Sequence, residues 1–159
     1  MRARIASFGD FRCSNCHAIV SSAHLLSGVN HRNHCPYCLW SSHLDLFAAG
    51  DRLSACKAPM RPIGLTMKKS KNKYQHERRG ELMLIHECVE CKSLSINRIA
   101  ADDDSGTILT VFQECFTLGH QMRIVCEEQG IFILSAKDSE VVHAHLYGRS
   151  NKIAVVRGR

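Results

Sequence analysis

The chain has 159 residues, 45% of them hydrophobic and 23% charged, a balance that excludes wholesale disorder and suits one ordinary domain or two small ones. Aromatic residues make up only 6%, so the apolar cores are small and some form of staple is expected. Net charge is +6, no run approaches eighteen apolar residues, and the opening MRARIASFGDF has no apolar leader core, which together predict a cytoplasmic protein without a membrane span.

Along the chain two parts are read: a zinc-binding unit over residues 1–104, which holds seven of the nine cysteines, and an extension over residues 105–159. Residues 11–16 and 35–39 read as knuckles between short strands, and residues 21–28 suit a helical turn or a loop equally. Residues 67–79, MKKSKNKYQHERR, carry six basic side chains against one acid, so this window alone supplies +5. Then LMLIHE forms an apolar strand, CVEC a turn and SLSIN an alternating strand, the clearest knuckle of the three. The run Asp102-Asp103-Asp104-Ser105-Gly106 punctuates the chain.

In the second part, Ile108, Val111, Phe112, Cys115 and Phe116 share one face of a helix predicted over residues 107–118. Strands are predicted at 122–126, 131–135, 141–147 and 153–156, separated by turn signals, with His143 and His145 on one strand face. The expected fold class is small α+β, mostly β: zinc-ribbon-like knuckles on short antiparallel strands, followed by a C-terminal helix plus β-hairpin segment.

The chemistry lies in the cysteines. Cys13 and Cys16, Cys35 and Cys38, and Cys88 and Cys91 form three Cys-x-x-Cys pairs, and Cys56 stands between the second and third. Two intervening residues let a tight turn aim both thiolates at one point, and tetrahedral zinc then needs two further ligands. Eighteen residues separate Cys16 from Cys35, a double-knuckle spacing. An odd total of nine cysteines argues against a complete disulfide framework. Seven cysteines are one ligand short of two four-coordinate zinc ions. His43, which follows Cys38 after four intervening residues, is the preferred eighth ligand, and His86, two before Cys88, the alternative. Sequential sharing joins Cys13, Cys16, Cys35 and Cys38, but a crossed arrangement of the pairs stays open. A redox reading of Cys35-Pro36-Tyr37-Cys38 fails because no apolar strand precedes it and no later proline offers a cis-Pro loop.

More than the cysteines carries a resemblance. Arg32-Asn33-His34-Cys35-Pro36 is the string that names the RNHCP domain family. Phe11, the CPYCLWSSHLD run through Asp45, Gly50-Asp51-Arg52, Cys56, Met60 and Pro62 match as well, as do Ile85-His86-x-Cys88-x-x-Cys91 and Asn97 to Asp103. Over about residues 10–104 the sequence resembles that family, which implies a small, predominantly bacterial zinc-binding domain whose function is largely unassigned. The sequence departs from the family at Lys57 and Lys92, where relatives tend to carry glycine after the cysteine. Residues 105–159 have no counterpart in the resemblance.

Zinc closed by four protein ligands has no open position, which predicts scaffolding and no enzyme activity. Lysines interleaved with amides and an aromatic ring suit phosphate contact and base stacking. The expected partner is RNA, ribosomal RNA or a ribosomal subunit above all, met by Lys68, Lys69, Lys71, Lys73, Tyr74, Arg78 and Arg79, with Arg32 and Arg52 adding contacts. The rival reading is a protein-interaction adaptor working through residues 105–159, with ribosomal proteins among its partners. A lesser one is a zinc-stapled nuclease using His31, Asn33 and His34, which crowds into four positions residues that such a site distributes over a hairpin and a helix.

Overall fold

A computed structural model describes residues 9–69 and 80–148. Two short strands, β1 (Phe11–Arg12) and β2 (Ile19–Val20), pair antiparallel around the first knuckle. One helical turn, α1 (His24–Ser27), follows and ends on Gly28 in the left-handed conformation. The frame is a four-stranded antiparallel sheet in the order β3-β4-β5-β6, formed by Ser41–Ser42, Pro59–Lys68, Glu81–Cys88 and Leu94–Arg98. Among the described strands β4 and β5 are much the longest, pairing from Met60↔Cys88 to Lys68↔Glu81 with a register shift between Pro62 and Gly64.

Helices then cover the sheet: α2 (Ser105–Glu114), α3 (His120–Glu128) and α4 (Ser139–Tyr147). The α2 N-terminus is capped by Asp104, which accepts from the Thr107 amide and hydroxyl at 2.7 Å each. The main core joins Leu65, Leu82 and Leu84 of the sheet to Ile108, Val111 and Phe112 of α2, Cys115, Val142 of α4, and Leu39 from the second knuckle. Each such fully buried Leu, Ile or Phe contributes about 1.5–3 kcal/mol of apolar burial. A second cluster holds Ile63 and Ile85 against Cys126 of α3. Gly64 makes the close approach possible, because a Cβ there would lie 3.0 Å from the Cys115 Cβ.

The C-terminal part corrects the sequence expectation. The helix predicted at 107–118 is present as α2 and the 3-10 turn Cys115–Thr117 that follows it. The expected hairpin is not: residues 122–126 lie within α3 and 141–147 within α4. Residues 131–135 belong to no strand and touch the sheet through the Leu134 amide, 2.9 Å from the Leu65 carbonyl. The β-branched pairs Ile124-Val125 and Val141-Val142 gave the strand signal. What decides the conformation is the four-residue spacing of Met122 with Cys126 and of Val142 with Leu146, which lays one helical stripe on the apolar clusters. His143 and His145 therefore share no face; His143 lies beside the Tyr147 ring, and His145 Nδ1 beside the Val141 carbonyl. The strand predicted at 153–156 lies outside the described residues. Among the described residues no helix is long and apolar enough to cross a membrane.

Candidate metal centres

Three loops share one backbone device. The amide after the second cysteine donates to the carbonyl of the first: His17 to Cys13 at 3.0 Å, Leu39 to Cys35 at 2.9 Å, Lys92 to Cys88 at 3.2 Å. The first cysteine's own amide reaches the carbonyl five residues on, at Ala18, Trp40 and Ser93, each at 2.9 Å. These paired bonds curl the chain so that both thiols of a pair point the same way. The curl needs a left-handed residue, and φ is 62° at His17, 61° at Leu39 and 62° at Lys92. Lys57, after Cys56, has φ 51°. Glycine adopts this conformation freely, whereas an L-residue with a Cβ gives up about 1–2 kcal/mol. The lysines at positions 57 and 92 are accommodated at that cost.

The loops bring eight ligands into two groups. Cys13, Cys16, Cys35 and Cys38 form one and His43, Cys56, Cys88 and Cys91 the other, with all ligand atoms in each group within 4.8 Å of one another. Sulfur separations are 3.5 Å for Cys13–Cys38 and 3.6 Å for both Cys16–Cys35 and Cys56–Cys88. A disulfide would set about 2.05 Å, whereas zinc–sulfur bonds of about 2.3 Å in a tetrahedron set about 3.8 Å. The donor sets and their spacing fit two zinc ions, each closed by four protein ligands. Sharing is sequential, so the crossed arrangement of pairs is not adopted.

Of the two histidines weighed, the structure brings in His43. Its Nδ1 lies 3.3 Å from Cys91 Sγ, and its amide donates to the Ala58 carbonyl at 2.9 Å, fixing the backbone beside β4. His86 is fully buried elsewhere, with Nε2 2.7 Å from the Leu39 carbonyl and Nδ1 2.8 Å from Asn97 Nδ2. Nε2 donates and Nδ1 accepts, which is the neutral imidazole. Burial, followed by the nearby His34, lowers its pKa to about 3.

A sequence model of the RNHCP domain matches residues 8–109. The chain belongs to the RNHCP family. No curated protein and no solved structure matches it.

The RNHCP signature builds the frame between the two metal groups. Arg32 Nη1 donates to Asp102 at 2.8 Å and Nη2 to Asp103 at 3.1 Å, while its Nε reaches the His34 carbonyl at 3.0 Å. His34 Nε2 lies 2.7 Å from the other Asp103 oxygen, which also accepts from the Ala100 amide at 2.8 Å. Asn33 donates to Asp45 at 3.0 Å and accepts from Arg52. Asp45 further accepts from the amides of Gly50 and Arg52, and although burial raises its pKa these donors bring it below the usual carboxylate range. Gly50, at φ 83°, lies where a Cβ would meet the His31 ring at 2.6 Å.

This network engages two of the arginines expected to contact RNA. The Arg32 side chain is 0% exposed and committed to Asp102 and Asp103, and Arg52 is held against Asn33 and Asp45. Lys68 and Lys69 are exposed at the end of β4, while Lys71, Lys73, Tyr74, Arg78 and Arg79 lie outside the described residues. Sequence reasoning also missed Asp51, whose carboxylate accepts from the amides of Leu46, Phe47, Ala48 and Leu53. The Leu53 amide leads these donors in holding its pKa well below the usual range. An aspartate following glycine was the available signal for such a turn.

Protonation agrees with a metal-dependent site. Burial pushes the Cys35 thiol up to about 12 and raises Cys38 and Cys88 as well. Thiols that resist ionisation become thiolates when a divalent cation binds them, and the cation in turn relieves the buried charge. Zinc would supply crosslinks here, tying β1–β2 to the second knuckle and residues 43 and 56 to the β5–β6 turn.

Proposed function

We propose that this RNHCP protein is a structural zinc protein that binds RNA, with ribosomal RNA or a ribosomal subunit in the cytoplasm as its target. One observation carries the reading: the window holding +5 of the chain's +6 charge joins β4, which ends at Lys68, to β5, which starts at Glu81. The opposite end of that strand pair, at Met60↔Cys88, adjoins the second metal group, so the two strands that the cationic segment joins are stapled at their far end. Closed coordination favours scaffolding over catalysis. Asn33 and His34 are buried in hydrogen bonds to Asp45 and Asp103, which speaks against their use as a nuclease centre. None of the described helices carries a basic face suited to a major groove, which favours RNA over DNA.

The test is a salt titration of binding to ribosomal RNA or subunits. Each neutralised phosphate releases counterion, with a slope of about 0.7 per contact on single strands. Replacing Lys68, Lys69, Lys71 and Lys73 with alanine should flatten the slope and leave zinc in place. Tyr74→Ala should cost about 1–3 kcal/mol with little change of slope if a base stacks on the ring. An unchanged slope in the quadruple variant would refute the RNA reading.

An adaptor role has an observation of its own, at a surface other than the residues 105–159 first expected to carry it. Leu46, Phe47 and Leu53 are 51%, 84% and 61% exposed on the loop organised by Asp51. Leu46 and Phe47 border a cavity of about 430 Å³ whose far wall is Leu94 to Asn97 of β6, the edge strand.

A further inference from the structure

The two metal groups differ in how they shield their sulfurs. In the first, both pairs sit on closed knuckles and a single cysteine, Cys16, is exposed; Cys13 and Cys35 are buried at 3% and 0%, Cys38 is half-buried, and Phe11, Val20 and Trp40 pack around them. In the second, Cys88 is buried while Cys56 and Cys91 reach the surface. Cys56 belongs to no Cys-x-x-Cys turn and enters from a loop. Cys91 Sγ lies 3.1 Å from the Ser93 hydroxyl, a contact that leaves the sulfur uncovered. We propose that Cys91 and Cys56 are a peroxide-reactive pair, whose oxidation to a disulfide expels the second zinc and leaves the first in place. The inference rests on the two-zinc reading.

Zinc holds both sulfurs as thiolates, the form that attacks a peroxide. The Cys91 sulfur attacks one oxygen of a hydroperoxide; an S–O bond forms, the O–O bond breaks, and hydroxide (or alkoxide) leaves. The resulting sulfenic acid is a poor zinc ligand. Cys56, whose sulfur is within 4.8 Å, attacks the Cys91 sulfur; an S–S bond forms and the S–O bond breaks, releasing hydroxide. Two thiolates have lost two electrons, the peroxide has gained them, and two solvent protons complete the leaving groups. Zinc departs from the two remaining ligands, Cys88 takes up a proton, and His43 is left as free imidazole. Cys88 is the other sulfur close to Cys56, but its complete burial keeps it from being the first to meet peroxide, and a Cys56–Cys88 or Cys88–Cys91 disulfide in the peptide map would overturn the assignment of the pair. The new bond would join the same two surface segments that the metal joined, so the change is reversible by thiol exchange.

The experiment uses the full-length zinc-loaded chain, hydrogen peroxide as oxidant, native mass spectrometry to count zinc and peptide mapping to place disulfides. The expected course is two zinc ions before treatment, one after, a Cys56–Cys91 disulfide, and recovery of two ions on adding dithiothreitol with zinc. A starting count below two would remove the two-zinc reading and the inference with it. A count of two followed by joint loss of both ions, by earlier oxidation at Cys13, Cys16, Cys35 or Cys38, or by no loss at all would overturn the inference alone. Cys91→His preserves a four-ligand site and should retain its second zinc through the same treatment; release from this variant at the parent's rate would also overturn it. Should the variant fail to load, the parent's disulfide map decides.

Discussion

His43 directly follows β3 and His86 lies within β5, and both are buried, yet only His43 faces a thiolate group. His43→Ala should therefore reduce the zinc count from two to one in native mass spectrometry. His86→Ala should keep both ions and instead lower stability by about 1–3 kcal/mol, because the Leu39 carbonyl loses its buried donor and Asn97 loses its acceptor. Loss of zinc from the His86 variant would reverse the assignment. Arg32 shows the limit of reading residues singly. Its charge was visible in the sequence, but its partners Asp102 and Asp103 are some seventy positions away and only the fold reveals them. Breaking that buried pair with Arg32→Ala should cost about 3–5 kcal/mol in urea denaturation of the zinc-loaded protein. The salt slope of RNA binding should not move. Asp51 acts on the backbone alone, so Asp51→Ala should speed hydrogen exchange at Leu46, Phe47, Ala48 and Leu53 with both zinc ions retained. Unchanged protection at those amides would show that the loop is held by something else.

Elements set by local chemistry were legible, and those set by distant packing were not. A Cys-x-x-Cys turn is closed by bonds within six residues, so its spacing alone announces it; the knuckle at Cys88–Cys91 and the strands flanking it appear as read. The helix α2 was equally plain, since its apolar face is set by local spacing. Helices α3 and α4 were misread because short β-branched runs suit a strand until a surface exists for them to cover. That surface is the face of β4 and β5, whose Leu65, Leu82 and Leu84 meet Phe112 and Val142 in one core. Phe112→Ala should cost about 3–5 kcal/mol. The effect should extend to the zinc-bearing sheet, seen as a single lowered transition in thermal melts monitored both by sheet signal and by zinc release. Two separate transitions, with zinc release unmoved, would mean that the helices and the sheet do not unfold together.

At the scale of the whole molecule, a chain with few aromatics and small apolar clusters relies on metal to hold segments that burial cannot. The second knuckle shows the coupling: Cys35 and Cys38 serve the first metal group, while Leu39 beside them is fully buried in the main core. Metal affinity and folding are then one quantity, because the ligands converge only in the folded chain and some of them ionise only when zinc is bound. The decisive measurement is native mass spectrometry of the intact protein with circular dichroism before and after a strong zinc chelator. The structure predicts two zinc ions per chain, with loss of folded signal as they are withdrawn. A chain that carries no zinc, or that keeps its full folded signal after both ions are stripped, would contradict it.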